Sequence, residues 1–219
     1  FLGALTVAGL AAGVAAAGTL DDVKARGKLN CGVTTGLVGF AAPDANGEWN
    51  DQGDVDTHRV WSADQGQWET LRPAPMARNS AAGAVLDGAL WIAGGRTVAE
   101  GGTGRMDRYD PVADRWDTLA PIPRSEASSA QVGGGLAMVA SRGRLVAFGG
   151  EWFAQGGGGV FAETWIYDPA RDQWQAGPVM TTPRHGLAAA EADGTIYAIG
   201  GGSVASAGGT SGIVEALRV

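Results

Sequence analysis

Three stretches after residue 90 are apolar at nearly every position and close on a glycine doublet. They read Trp-Ile-Ala-Gly-Gly ending at Gly95, Leu-Val-Ala-Phe-Gly-Gly ending at Gly150, and Tyr-Ala-Ile-Gly-Gly ending at Gly201. Short runs with no polar face predict strands covered on both sides, as when sheets stack on sheets. Each is preceded by another apolar run, and the two are separated by Asp87-Gly88, Arg142-Gly143 or Asp193-Gly194. Asp-Gly between apolar runs predicts a two-residue hairpin, because a type I′ turn needs positive φ at both central residues. Arg142-Gly143 fills the same place with a first residue less suited to positive φ. The doublets themselves predict points where another backbone or a large ring comes close.

After each of the first two doublets come a Gly-rich gap, an aromatic residue, a turn and an indole: Tyr109-Asp110-Pro111 leads to Trp116, and Tyr167-Asp168-Pro169 to Trp174. Proline after aspartate presets φ for the turn. An incomplete copy runs from Trp61 to Trp68. The doublets lie 55 and 51 residues apart, and Trp68, Trp116 and Trp174 lie 48 and 58 apart. Arg78, Arg124 and Arg184 keep pace with them. A repeat of about 50 residues carrying a Gly pair, a Tyr and a Trp resembles the kelch repeat, and here the resemblance spans residues 59–219. It implies a β-propeller with one four-stranded blade per repeat. The expected fold class is all-β: a partial kelch-type β-propeller of two complete four-stranded blades plus partial blades, preceded by a short N-terminal helix and strand segment. Gly94, Gly95, Tyr109, Trp116, Gly149, Gly150, Tyr167, Trp174, Gly200 and Gly201 are the expected structural motif, with the indoles seated against the doublets.

Composition narrows the functional classes. Glycine supplies 37 of 219 residues, which suits many tight turns better than helices. A formal charge of −7 with no basic stripe excludes a nucleic-acid partner, since nothing is available to displace counterions from phosphates. The one cysteine, Cys31, excludes an internal disulfide and a Cys-based zinc site.

Residues 1–18 carry no charge, and small residues at Ala15 and Ala17 suit a cleavage site, so this stretch reads as the apolar core of an export signal. No stable membrane span is expected after its removal. Leu20 to Lys28 reads as a short charged amphipathic segment and Leu29 to Thr34 as a strand. The run Thr-Leu-Asp-Asp-Val-Lys-Ala-Arg-Gly-Lys-Leu-Asn-Cys-Gly-Val from Thr19, the run from Thr35 to Asp44, and Gly47-Glu48-Trp49 followed by Asp54-Val55-Asp56 resemble the mature N-terminus of periplasmic general amino-acid-binding proteins of ABC importers. That resemblance implies the start of a two-lobed, ligand-clasping fold, but by Gln65 the sequence is kelch-like. The expected organisation is a signal region at 1–18, a partial amino-acid-binding-protein-like segment at 19–56 and a kelch propeller fragment at 57–219, in the periplasm or secreted.

In an up-and-down blade, the loops between second and third strands share a rim with the connections between blades. Long Gly-rich loops on that rim begin at Arg96, Glu151 and Gly202. Such loops on a rigid scaffold are where binding surfaces arise. Arg78, Arg96, Arg105, Arg124, Glu151, Trp152 and Arg184 are the candidate ligand-binding residues. Arginines at one repeat position suit a ring that reads carboxylates, or else a repeated packing role. His58 and His185 are isolated, and the Gly156–Gly159 run precedes no Lys-Ser or Lys-Thr, so no catalytic residue, metal or cofactor is predicted. The leading expectation is an exported kelch-repeat module that binds a protein or glycan, more a binder than an enzyme. The alternatives are a periplasmic amino-acid-binding protein of an ABC importer and a carbohydrate-active kelch enzyme such as a sugar mutarotase or epimerase. Self-association through open blade edges is expected.

Overall fold

The computed structural model describes residues 54–219 except 98 and 207, together with the backbone of three short strands nearer the N-terminus. These are β1 (Lys28–Leu29), β2 (Ala42–Pro43) and β3 (Trp49–Asn50). The apolar stretch 1–18, the amphipathic segment up to residue 27 and most of the strand expected from Leu29 lie outside the described residues.

The remaining strands form successive antiparallel sheets, and no helix occurs among the described residues. The first blade holds β4 (Arg59–Ser62) and β5 (Gln67–Thr70), with β1 on the far side of β4. The second blade contains β6 (Asn79–Leu86), β7 (Ala89–Thr97), the short β8 (Gly101–Gly102), β9 (Met106–Asp110) and β10 (Arg115–Leu119). Its strand order is β6-β7-β9-β10, with β8 added to the end of β7. In the third blade β11 (Ala137–Ser141), β12 (Arg144–Phe148), β15 (Thr164–Asp168) and β16 (Gln173–Ala176) repeat that order. Between them β13 (Glu151–Ala154) and β14 (Gly157–Val160) make a separate hairpin. The last blade has β17 (Ala188–Ala192), β18 (Thr195–Ile199) and β19 (Val214–Leu217). The innermost strands β6, β11 and β17 adjoin one another in sequence, so the sheets radiate from a common axis.

Local chemistry explains the hairpins. Asp87 and Gly88 have φ of 50° and 74°, Arg142 and Gly143 the same values, and Asp193 and Gly194 51° and 74°. Each pair joins the first and second strands of a blade, as Leu86↔Ala89, Ser141↔Arg144 and Ala192↔Thr195 pair directly across it. Tight two-residue turns here accept an arginine as well as aspartate.

The doublets set how the blades stack, and here one sequence expectation is corrected. Gly95 N–H donates to the Gly133 carbonyl at 2.7 Å, and Gly150 N–H to the Arg184 carbonyl at 2.9 Å, in each case on the next blade. A side chain on Gly94 would collide with Leu136 and the Gly133 carbonyl, and one on Gly149 with the Arg184 carbonyl. The space is taken by a neighbouring backbone, which leaves no room for a ring. Gly135 N–H donates to the Ser80 carbonyl and Gly186 N–H to the Gly135 carbonyl, so the entries to the inner strands are stitched blade to blade.

The indoles instead pin the outer strands. Trp116 Nε1 donates to the Arg72 carbonyl at 3.0 Å and Trp174 Nε1 to the Ala120 carbonyl at 2.8 Å, in each case on the connection leaving the preceding blade. Their rings lie 5.0 and 4.9 Å from Tyr109 and Tyr167. Trp68 is half exposed against Trp61. The core runs between the sheets, where Ala93, Met106, Leu145, Phe161 and Tyr167 are sealed from solvent. A second cluster of Val146, Phe148, Met180, Leu187 and Ile196 joins the third and last blades.

Candidate functional site

Strand register identifies equivalent positions on the rim that carries the doublets. Asn79 faces Arg96, Gly134 faces Glu151, and His185 faces Gly202. Arg96, Glu151 and Gly202 are therefore one position in three blades, and Asn79, Gly134 and His185 are another. The side chains at these positions form a line across the blades. Arg96 Nη1 donates to Glu151 Oε1 at 2.6 Å and Arg96 Nε to Asn79 Oδ1 at 3.0 Å. Asn79 Nδ2 donates to Asp54 Oδ1 at 2.9 Å. Glu151 Oε2 accepts the Ser206 N–H at 2.7 Å and lies 3.4 Å from His185 Nδ1. His185 Nε2 lies 3.0 Å from the Val204 carbonyl. Both Glu151 and His185 are buried, so these contacts are shielded from the screening that weakens surface pairs.

Beside this line stands the β13–β14 hairpin, in a segment expected to be a loop. Trp152 pairs with Gly159, Phe153 with Gly158 and Ala154 with Gly157. The run of glycines is a strand because the Trp152 ring lies where a side chain on Gly159 would project, about 2.9 Å from its would-be Cβ. Trp152 thus folds down against the core, while Phe153 is 54% exposed with the Arg96 guanidinium 5.4 Å above its ring centroid. Gly158 borders both Phe153 and Ala205 of the neighbouring loop, and Val204 next to it is exposed. An aromatic face, a guanidinium and small apolar groups therefore share one surface.

The structure brings together Arg96, Glu151 and Trp152 of the candidate residues and places the others apart. Arg78 and Arg184 are buried. Arg78 Nη1 donates to Asp107 Oδ2 at 2.8 Å, and Arg105 Nε bonds the same carboxylate. Arg184 donates to the Ile213 carbonyl at 2.9 Å and to Glu215 Oε2 at 3.2 Å. By register Asp107, Trp165 and Glu215 occupy one position, facing Ile92, Ala147 and Ala198. The backbone contacts to the doublets make Gly133 the counterpart of Arg184. The third blade thus replaces both members of the arginine–carboxylate pair, with Gly133 and Trp165. Arg124 is not at this position: it is exposed, and its bridge to Gln131 closes an added loop. The sequence spacing matched Arg124 to the others because that loop lengthens the connection.

Phe153, Asn79 and His185 were missed as site residues. Phe153 stood in a segment read as flexible, and the role of the other two follows only from register between distant strands. His58 belongs to a structural cluster: its ring packs 4.4 Å from Tyr109, and burial lowers its pKa below the usual 6.5. Burial, with the hydrogen bond to Asp114, raises the Tyr109 pKa to about 12, and burial with Asp172 raises that of Tyr167. No group of three His, Cys, Asp or Glu residues suited to a metal occurs among the described residues.

The radial four-stranded sheets and doublet-seated blades define part of a kelch-type β-propeller. Residues 77–123 match the family model of the Kelch motif. The solved structure of YjhT aligns with a TM-score of 0.62 at 16% identity, over 80% of this chain and 50% of that one. That likeness is one of fold. In sequence, the chain is 66% identical over 47 residues to the glutamate/glutamine/aspartate/asparagine-binding protein BztA of Rhodobacter capsulatus. It is 58% identical over 48 residues to the general L-amino acid-binding periplasmic protein AapJ of Rhizobium johnstonii. Each match covers 22% of this chain and 14% of the relative, so the chain spans a small part of the length of these curated relatives.

Proposed function

We propose that this chain is an exported kelch-repeat binding module that holds a protein or glycan partner on the rim carrying the doublets. The observation that carries the reading is the β13–β14 hairpin, which lifts Phe153 out of the rim beneath the Arg96 guanidinium. An exposed aromatic ring beside a fixed cation suits the face of a sugar ring or a planar peptide side chain. Arg96 is held by Glu151 and Asn79, so little conformational freedom is lost when a partner docks on it. Export is supported by the uncharged stretch 1–18 and by the kinship of the N-terminal part to binding proteins, one of them described as periplasmic. The division at about residue 56 follows the same kinship. An amino-acid clamp is not part of the proposal, because the matched length is 14% of those receptors.

A glycan array and a panel of purified periplasmic proteins, probed with the wild-type chain and two variants, test the reading. Phe153→Ser should weaken any partner about tenfold or more, the loss expected of an interface anchor. Val112→Ser, on the exposed Tyr-Asp-Pro turn away from this rim, should leave binding intact. Binding indifferent to Phe153→Ser, or no partner in either panel, overturns the proposal.

A further inference from the structure

We infer that His185 and Glu151 form a proton-operated latch between the third and last blades, closed when the imidazole carries both ring protons. An acceptor faces each ring nitrogen of His185. Nε2 lies 3.0 Å from the Val204 carbonyl, which can only accept. Nδ1 lies 3.4 Å from Glu151 Oε2, also an acceptor, and is buried with no hydrogen-bond partner among the described residues. A neutral imidazole has one N–H, so either tautomer sets a nitrogen lone pair against an oxygen lone pair in a buried place. The imidazolium donates to the Val204 carbonyl through Nε2 and sets its positive charge against the Glu151 carboxylate 3.4 Å from Nδ1.

The surroundings decide which contact yields when the proton leaves. Glu151 is anchored by Arg96 through Oε1 and by the Ser206 N–H through Oε2. Arg96, on β7, is the other charge at this carboxylate and opposes a second cation beside it. Arg184, next in the chain to His185, is occupied by Glu215 and backbone carbonyls. The loop 202–209 has no ionisable side chain. Its root is fixed by two backbone bonds between Gly202 and His185 and by the Ser203 N–H to the Gly209 carbonyl, while its tip is held to the blade by the Val204 carbonyl and the Ser206 N–H. Glu151 is buried and held through both carboxylate oxygens, so the contact with the loop is the one that yields. The loop is therefore held at acid pH and loosened at alkaline pH. The latch stands whether or not the rim binds a partner. If it does bind one, the loop beside Phe153 makes that binding proton-dependent.

Two measurements on the intact chain test it. Nitrogen-15 shifts of the His185 ring should show both nitrogens protonated at about pH 5 and one at about pH 8. Amide exchange of Ser206 and Ser203, corrected for the intrinsic pH effect, should be about tenfold slower at about pH 5 than at about pH 8. In His185→Gln, whose amide does not titrate, that difference should vanish. A singly protonated ring at about pH 5 overturns the latch even if the variant fails to fold, and so does loop protection that is independent of pH or unchanged in His185→Gln.

Discussion

The Tyr109 phenol donates to Asp114 Oδ1 at 2.8 Å, and Asp114 holds its turn at a φ of 46°. Burial disfavours a phenolate there, which would also lose that bond and face a carboxylate, so the Tyr109 pKa rises to about 12. An unfolded tyrosine releases its proton near 10, so this group's contribution to stability is full below about 10 and lost as pH rises toward 12. Spectrophotometric titration should show a late phenolate absent from Tyr109→Phe, and that variant should lose about 1 kcal/mol. His58 works in the opposite direction. Because burial lowers its pKa, its contribution is full above about 6.5 and lost as pH falls toward the folded value. In an NMR titration its ring should protonate below the ordinary range. The Tyr-Asp-Pro…Asp spacing was legible as a turn, since every group in it is local. The His58 contact was not, because it joins residues 58 and 109 across two blades.

At the scale of the element, the glycine doublets are the junctions on which stacking depends. Gly149 has φ +68°, and a side chain there would meet the Arg184 carbonyl and Leu187. Gly200 has φ +66° but only the Ser211 carbonyl, at 3.5 Å, near the would-be Cβ. Gly149→Ala should therefore cost well over about 2 kcal/mol, while Gly200→Ala should cost only the positive-φ penalty of about 1 kcal/mol. Denaturant melts of the two variants give the comparison, and equal losses would contradict it. The sequence made the doublets and hairpins readable because apolar runs, Asp-Gly and Gly-Gly act within a few residues. It misassigned what fills the doublets, because a partner on the next blade leaves no mark on local periodicity. The Gly157–Val160 strand was hidden for a related reason: glycines read as flexible unless the ring covering them, Trp152, is known to lie there.

Across the whole molecule, the blades differ in how they lock their inner strand to their third. The second uses Arg78 with Asp107 and the last uses Arg184 with Glu215, while the third has Gly133 and Trp165. Breaking one buried partner is expected to cost more than removing both. Arg78→Met should lose about 3 kcal/mol, and Arg78→Met with Asp107→Leu should recover part of it. A double-mutant cycle by denaturant melts reads the difference. The spacing of Arg78, Arg124 and Arg184 concealed this exchange, since the loop closed by Arg124 and Gln131 shifted one arginine out of register.

The second and third blades each receive the next blade through the glycine doublet. The most direct test is NMR scalar coupling across hydrogen bonds in the labelled chain. The Gly95 amide should couple to the Gly133 carbonyl and the Gly150 amide to the Arg184 carbonyl, with both amides protected from exchange as strongly as β12. Gly95 and Gly150 amides that exchange at unprotected rates, or that couple within their own blade, would contradict it.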